Sequence, residues 1–116
     1  MALYTGTLPT RLLNDQQIRP GSYRTWSDVA RDFERRDKDR EILADLKASI
    51  PVAGQQKPIL LEVDDRHHDV RVADGHHRSL ILRQLGVAEF TFRWCLIGTW
   101  SVKDQSGPFP YHLLGL

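Results

Sequence analysis

The sequence predicts one α+β domain, a small mixed sheet flanked by helices, and three observations carry that prediction. The chain has 116 residues, enough for a single core and too few for two. Apolar residues recur at helical spacing through Ile42, Leu43, Leu46 and Ile50, and in strand-like runs at 59–63, 70–73 and 89–97. Hydrophobic residues at 41% beside charged residues at 27% are ordinary globular values, which argues against disordered and fibrous classes.

Residues 1–24 hold Gly6, Pro9, Pro20 and Gly21 around Leu12-Leu13, and read as irregular structure with room for one strand. Thr25-Trp26-Ser27-Asp28 is a helix start in capping-box style; Val29, Ala30 and Phe33 share its inner side and carry the helix to about Arg36. Asp39 caps a second helix, which Pro51 ends. A turn around Gly54 leads to Pro58, which opens the strand Ile59-Leu60-Leu61-Glu62-Val63. Residues 64–69 form a polar hairpin turn, and Val70-Arg71-Val72-Ala73 alternate as a second strand running into Asp74-Gly75. A helix from His76 to Leu85 stops at Gly86, which suits a left-handed cap, and Glu89 to Ile97 form the last clear strand.

In the tail, 98–116, Pro108 and Pro110 oppose regular structure, yet Phe109, Tyr111, Leu113, Leu114 and Leu116 are too apolar for a solvated linker. The tail therefore covers the domain's own sheet or forms a homodimer contact, and the first is favoured. The expected unit is thus a single domain over 1–116 with its core at about 39–97.

Several function classes lose ground on composition. No apolar stretch approaches the roughly 18 residues of a membrane span, and the amino terminus lacks a signal-peptide layout, so a cytoplasmic protein without a membrane partner is expected. Cys95 is the single cysteine and lies in the apolar run 92–97, which predicts a buried, inert thiol. A net charge of +1, from 16 basic and 15 acidic residues, argues against a protein built chiefly to grip duplex nucleic acid, without barring weaker contacts.

Chemistry concentrates at Asp74-Gly75-His76-His77-Arg78. A strand feeds directly into this bend and a helix starts just after it, so free backbone amides and the helix dipole favour an anion there. Gly75 lets a phosphate approach the backbone, Arg78 adds a forked donor, and His77 can donate to an oxygen or carry a proton near neutral pH. His67, His68, Asp69, Asp74, His76 and His77 also lie close in sequence. A solvated hairpin tip accounts for the first three, and the metal expectation is magnesium brought with a nucleotide and met by Asp74.

The order of motifs widens the reading. Ile42-Leu43-Ala44-Asp45-Leu46-Lys47-Ala48-Ser49-Ile50 precedes Gly54-Gln55-Gln56-Lys57-Pro58-Ile59-Leu60, then Val72-Ala73-Asp74-Gly75-His76-His77-Arg78-Ser79 and Leu85-Gly86-Val87. Over about 39–97 this resembles ParB amino-terminal domains and sulfiredoxins. Gly75, His77 and Arg78 fall on the Gly, His and Arg of the sulfiredoxin motif, and Gln56 and Pro58 on the strand-start pattern. The resemblance implies a nucleotide phosphate pocket lined by Gln56, Gly75, His76, His77, Arg78 and Ser79.

Two departures narrow it. His76 stands where sulfiredoxins carry the nucleophilic cysteine, so sulfinic-acid repair is not expected. The ParB glutamate is absent, as is room for a helix-turn-helix and a dimerisation domain. The string is most similar to free-serine kinases of the same superfamily, which move phosphate from a nucleotide to a small alcohol and use an upstream acid as base. That likeness implies His77 as a catalytic residue with Glu41, or Asp39, as the acid, and a nucleoside triphosphate, ATP or CTP, with Mg2+ as cofactor. Phosphoryl transfer, triphosphate hydrolysis or phosphodiester cleavage are the reactions such a site would serve. The alternative is a non-catalytic module of ParB-like fold that binds DNA or a host protein, which would suit a bacteriophage or mobile-element origin.

Overall fold

The computed structural model describes residues 4–97, 102–105 and 107–116. In chain order its elements are β1 (Gly6–Pro9), β2 (Arg19–Pro20), α1 (Trp26–Glu34), α2 (Asp37–Ala53), β3 (Ile59–Asp64), β4 (Asp69–Asp74), α3 (His76–Leu85), β5 (Glu89–Ile97) and β6 (Val102–Asp104). Short 3-10 turns occupy Thr10–Leu12 and Tyr111–Leu114. The strands form one mixed sheet in the order β1-β5-β3-β4-β2, with β6 also paired to β5. The fold is therefore α+β, as the sequence predicts.

Alternation along the strands builds the core. Ile59, Leu61 and Val63 of β3, Val70 and Val72 of β4, and Phe90, Phe92 and Trp94 of β5 are buried. The register sets Leu61 opposite both Val72 and Trp94, so these side chains share one face. Val29 and Phe33 of α1, Ile50 of α2, and Leu80, Ile81 and Leu82 of α3 complete the same apolar cluster. Cys95 is buried with its sulfur 3.6 Å from the Leu61 carbonyl, as expected of an inert thiol.

The core reaches beyond 39–97 on both sides. Leu8, Leu12, Leu13 and Ile18 from the first segment are fully buried, and Phe109 and Leu114 from the tail are buried too. Phe109 meets Phe92 and Trp94 edge-on, with ring centroids 4.9 and 5.7 Å apart. The tail also contributes β6, which the prolines do not prevent because both lie after it. Residues 98–101 and 106 of the tail lie outside the described residues.

Three boundaries differ from expectation. The second helix begins at Asp37 with Arg36 as its cap, ahead of Asp39. It also runs through Pro51, because a proline in the final turn forfeits one donor while the Gly54 N–H still closes onto the Ile50 carbonyl at 2.8 Å. The hairpin strands extend through the paired Asp64 and Asp69, leaving a shorter turn that the Asp64 carboxylate holds by accepting from the Arg66 amide (3.2 Å) and pairing with His67 Nδ1 (2.7 Å). The start of α1 behaves as predicted, with the Thr25 hydroxyl accepting from the Asp28 amide at 3.1 Å. Among the described residues no helix is long and apolar enough to cross a membrane.

Candidate functional site

A bulge in β4 prepares the bend. Leu60 pairs with Asp74 but Leu61 with Val72, so Ala73 is an extra residue that turns the strand just before Gly75. Gly75 then caps α3 at φ 102° and ψ 28°, a backbone that side chains rarely adopt. A Cβ there would stand 2.8 Å from both Arg78 Nη2 and Ile59 Cδ1, so glycine is required twice over. The Ser79 amide donates the first intrahelical bond, to the Gly75 carbonyl at 2.8 Å, which leaves the amides of His76, His77 and Arg78 without intrahelical partners.

The three motif side chains do not converge. Successive helical residues are rotated by about 100°, and each of these three reaches a different element. His76 Nε2 donates to the Gly21 carbonyl at 2.8 Å, with its ring beside Tyr23 and Trp26. Burial holds its pKa below the ordinary histidine value, the Gly21 bond only partly opposing, so the neutral ring is favoured. His77 lies flat on Phe33, ring centroids 4.0 Å apart and planes 3° from parallel, and its Nε2 is 2.9 Å from Asp39 Oδ1. Arg78 turns the other way and donates from Nη2 to the Pro58 carbonyl at 3.2 Å.

Asp39 is the hinge of a wider polar chain. Its second oxygen lies 2.7 Å from Arg36 Nε, Arg36 Nη2 lies 2.7 Å from Asp32 Oδ2, and the Tyr23 hydroxyl donates to that same Asp32 oxygen at 2.6 Å. The His77 hydrogen bond, then the charges of Arg36 and His77, hold the Asp39 carboxyl below the usual carboxylate range despite partial desolvation. The hydrogen bond to Asp32 pushes the Tyr23 hydroxyl up. The Asp32/Arg36 and Arg36/Asp39 contacts are short-range, spanning four and three positions across the junction of α1 and α2. The link from Asp39 to His77 is not, because 38 positions separate them.

Arg78 alone of the motif side chains lines a cavity, of about 230 Å³, shared with Leu46, Ser49, Ile50, Gln56 and Lys57. Its side chain is 18% exposed, and its Nε is buried without a hydrogen-bond partner. Gln56 also lines the cavity, but its amide caps the end of α2 on the Ala53 and Gly54 carbonyls at 2.8 and 3.3 Å. Its neighbour Gln55, unremarked in the sequence, clamps the turn to β5 by exchanging two bonds of 2.8 Å with the Thr91 backbone.

The other expected site residues fall elsewhere. Ser79 is wholly buried and its hydroxyl donates to the Gly75 carbonyl at 2.8 Å, so it faces the protein rather than a ligand. His76 likewise points to Gly21, away from the Arg78 cavity. Glu41 is exposed on α2; of the two acids considered, Asp39 is the one that meets His77. Asp74 is exposed, 3.7 Å from Arg78, and among the described residues no three histidine, cysteine or acidic side chains gather as a metal would require. At the hairpin tip His67 pairs with Asp64, and Asp69 takes a forked contact from Arg19 at 2.8–3.0 Å. Compared with family models, curated proteins and solved structures, the chain matches none.

Proposed function

We propose that this chain is a phosphate- or nucleotide-binding module of ParB-like kind whose ligand contact is the Arg78 cavity. The supporting observation is the buried Arg78 Nε–H, which has no acceptor. A desolvated guanidinium donor left unpaired costs free energy, and a phosphoryl oxygen would satisfy it while meeting the charge of Lys57 on the same wall. The volume suits a phosphoryl group rather than a whole nucleotide, since pockets for drug-sized ligands start near about 300 Å³. The ligand proposed is ATP or CTP with Mg2+; Asp74, exposed beside Arg78, is the carboxylate available to the metal. His77 stays outside the cavity, so its proposed part is indirect, holding the start of α3 against α1 and α2.

A second reading, a non-catalytic DNA- or protein-binding module, is favoured by the internal use of His76, His77 and Ser79. Thermal shift with ATP, CTP and GTP, with and without Mg2+, separates the two. A ligand at about 100 times its Kd adds about 2.7 kcal/mol, so wild type should show a saturable rise. Arg78→Lys keeps the charge but lacks the Nε donor and the fork, and should abolish that rise. No saturable response of the wild type to any nucleotide would remove the first reading. Salt-dependent DNA binding that needs no nucleotide and survives His77→Ala would install the second.

A further inference from the structure

The far end of α3 holds polar groups that the fold does not use. A groove of about 570 Å³ lies between the segment Pro9–Asn14 and the residues Arg83 and Gly86–Ala88. Two arginines line it, Arg11 and Arg83, and neither forms an ion pair among the described residues, a state they share with Arg24, Arg35 and Arg93. Arg83 is held in place by stacking over Trp26, 5.1 Å from the ring centroid. Partial burial lowers its pKa, with Asp15 opposing, so a nearby anion would favour its charged form. Asp15 itself is committed, because its carboxylate accepts the Trp26 amide at 2.8 Å.

The third group is Thr10. The residue borders the groove and is 5% exposed, and its buried hydroxyl has no hydrogen-bond partner. Its backbone is fully occupied, with the amide donating to the Ala88 carbonyl and the carbonyl accepting from Leu13, both at 3.0 Å. Asn14 is spent as well, its amide donating to the Arg11 carbonyl (3.0 Å) and to Gln17 Oε1 (2.9 Å). Two arginines without an ion-pair partner among the described residues, and a threonine whose hydroxyl is unpartnered, therefore border the groove.

We propose that this groove is a phosphate-binding site separate from the Arg78 cavity, in which Arg11 and Arg83 clamp the anion and the Thr10 hydroxyl donates to it. A phosphate has enough oxygens to receive both forks and the hydroxyl together. The site stands about 15 Å along α3 from Gly75, at about 1.5 Å per residue, and does not depend on the reading of the motif. Free phosphate compounds and the backbone of a single-stranded nucleic acid offer the same group.

Amide NMR titration of the full chain with inorganic phosphate, a nucleoside monophosphate and a short single-stranded oligonucleotide tests the site and distinguishes those sources. The expected result is a saturable perturbation centred on Thr10, Arg11 and Gly86–Ala88, at least tenfold weaker in Arg11→Gln and in Arg83→Gln and unaltered in Arg78→Lys. Thr10→Val should weaken binding while raising the melting temperature, since it removes the orphan hydroxyl without changing the side-chain shape. No saturation with any of the three probes, or midpoints unchanged in the Arg11→Gln/Arg83→Gln double variant, would overturn the proposal. So would a Thr10→Val protein that is more stable and binds as well as wild type.

Discussion

At the start of α3 three consecutive polar side chains each find a partner on a different element, whereas at its end Arg83, and Arg11 across the groove, form no ion pair among the described residues. The first end carries the conspicuous string, and the second only the Leu85-Gly86-Val87 stop. A strand-turn-helix string marks a place where the chain must bend, and at about 100° per residue its side chains are as well suited to tying three elements together as to gripping one ligand. An unsatisfied donor is the sharper pointer to a ligand, and by that criterion Arg78 and Thr10 stand out while His76, His77 and Ser79 do not.

Substitutions at the two ends should therefore have unlike effects. The largest is expected for Gly75→Ala, which combines a disfavoured backbone with a Cβ pressed against Arg78 and Ile59; chemical denaturation should show a loss of about 2–4 kcal/mol. Its counterpart Gly86→Ala has no neighbour within 4 Å to meet, and should cost only the left-handed backbone term of about 1–2 kcal/mol. Equal losses for the two glycines would erase the contrast between the two ends of α3.

His76→Ala should cost about 1–2 kcal/mol by stranding the Gly21 carbonyl, and should also change the pH profile. Because the folded His76 pKa is depressed, the unfolded chain takes up a proton that the folded one declines, so wild-type stability should fall as pH drops below about 6.5. Asp39 acts at lower pH: its depressed pKa gives stability above about pH 4 that is lost as pH falls through the folded value. Denaturation across pH 3–8 should show both steps in the wild type, the upper one missing from His76→Ala and the lower one reduced in Asp39→Asn, the remainder coming from Asp64, whose carboxyl the His67 hydrogen bond also holds low. The smallest effect belongs to the far end, where Arg83→Gln should change stability by no more than about 0.5–1 kcal/mol, the worth of an exposed cation–π contact.

The sequence was most legible where it is punctuated. The bounds of α3 and β5 are those predicted, because Gly75 and Gly86 bracket one and a long run of β-prone residues forms the other. β1 and β2 were not legible as a pair of strands: with four and two residues they carry little pattern, and their pairing depends on β5 and β4, more than fifty positions away. Pro51 misled because proline is judged by what it cannot donate, and in a final turn that donor matters little. At the site, Gly75 and Arg78 were correctly placed at the bend. The direction of each side chain was not, since it follows from where α1, α2 and the Gly21 segment pack.

One further feature concerns the rim of the sheet. The outer side of β5 is covered in two lengths, its first half by β1 and its second by β6, and the two meet where the Tyr4 amide donates to the Gln105 carbonyl at 3.1 Å. Segments from opposite extremes of the chain thus lie butted together, and Tyr4 and Tyr111 join their hydroxyls beside the seam at 2.7 Å. Shortening the protein from either direction would bare part of β5 as a ladder of unfilled backbone positions, the kind of margin along which separate molecules stick to one another.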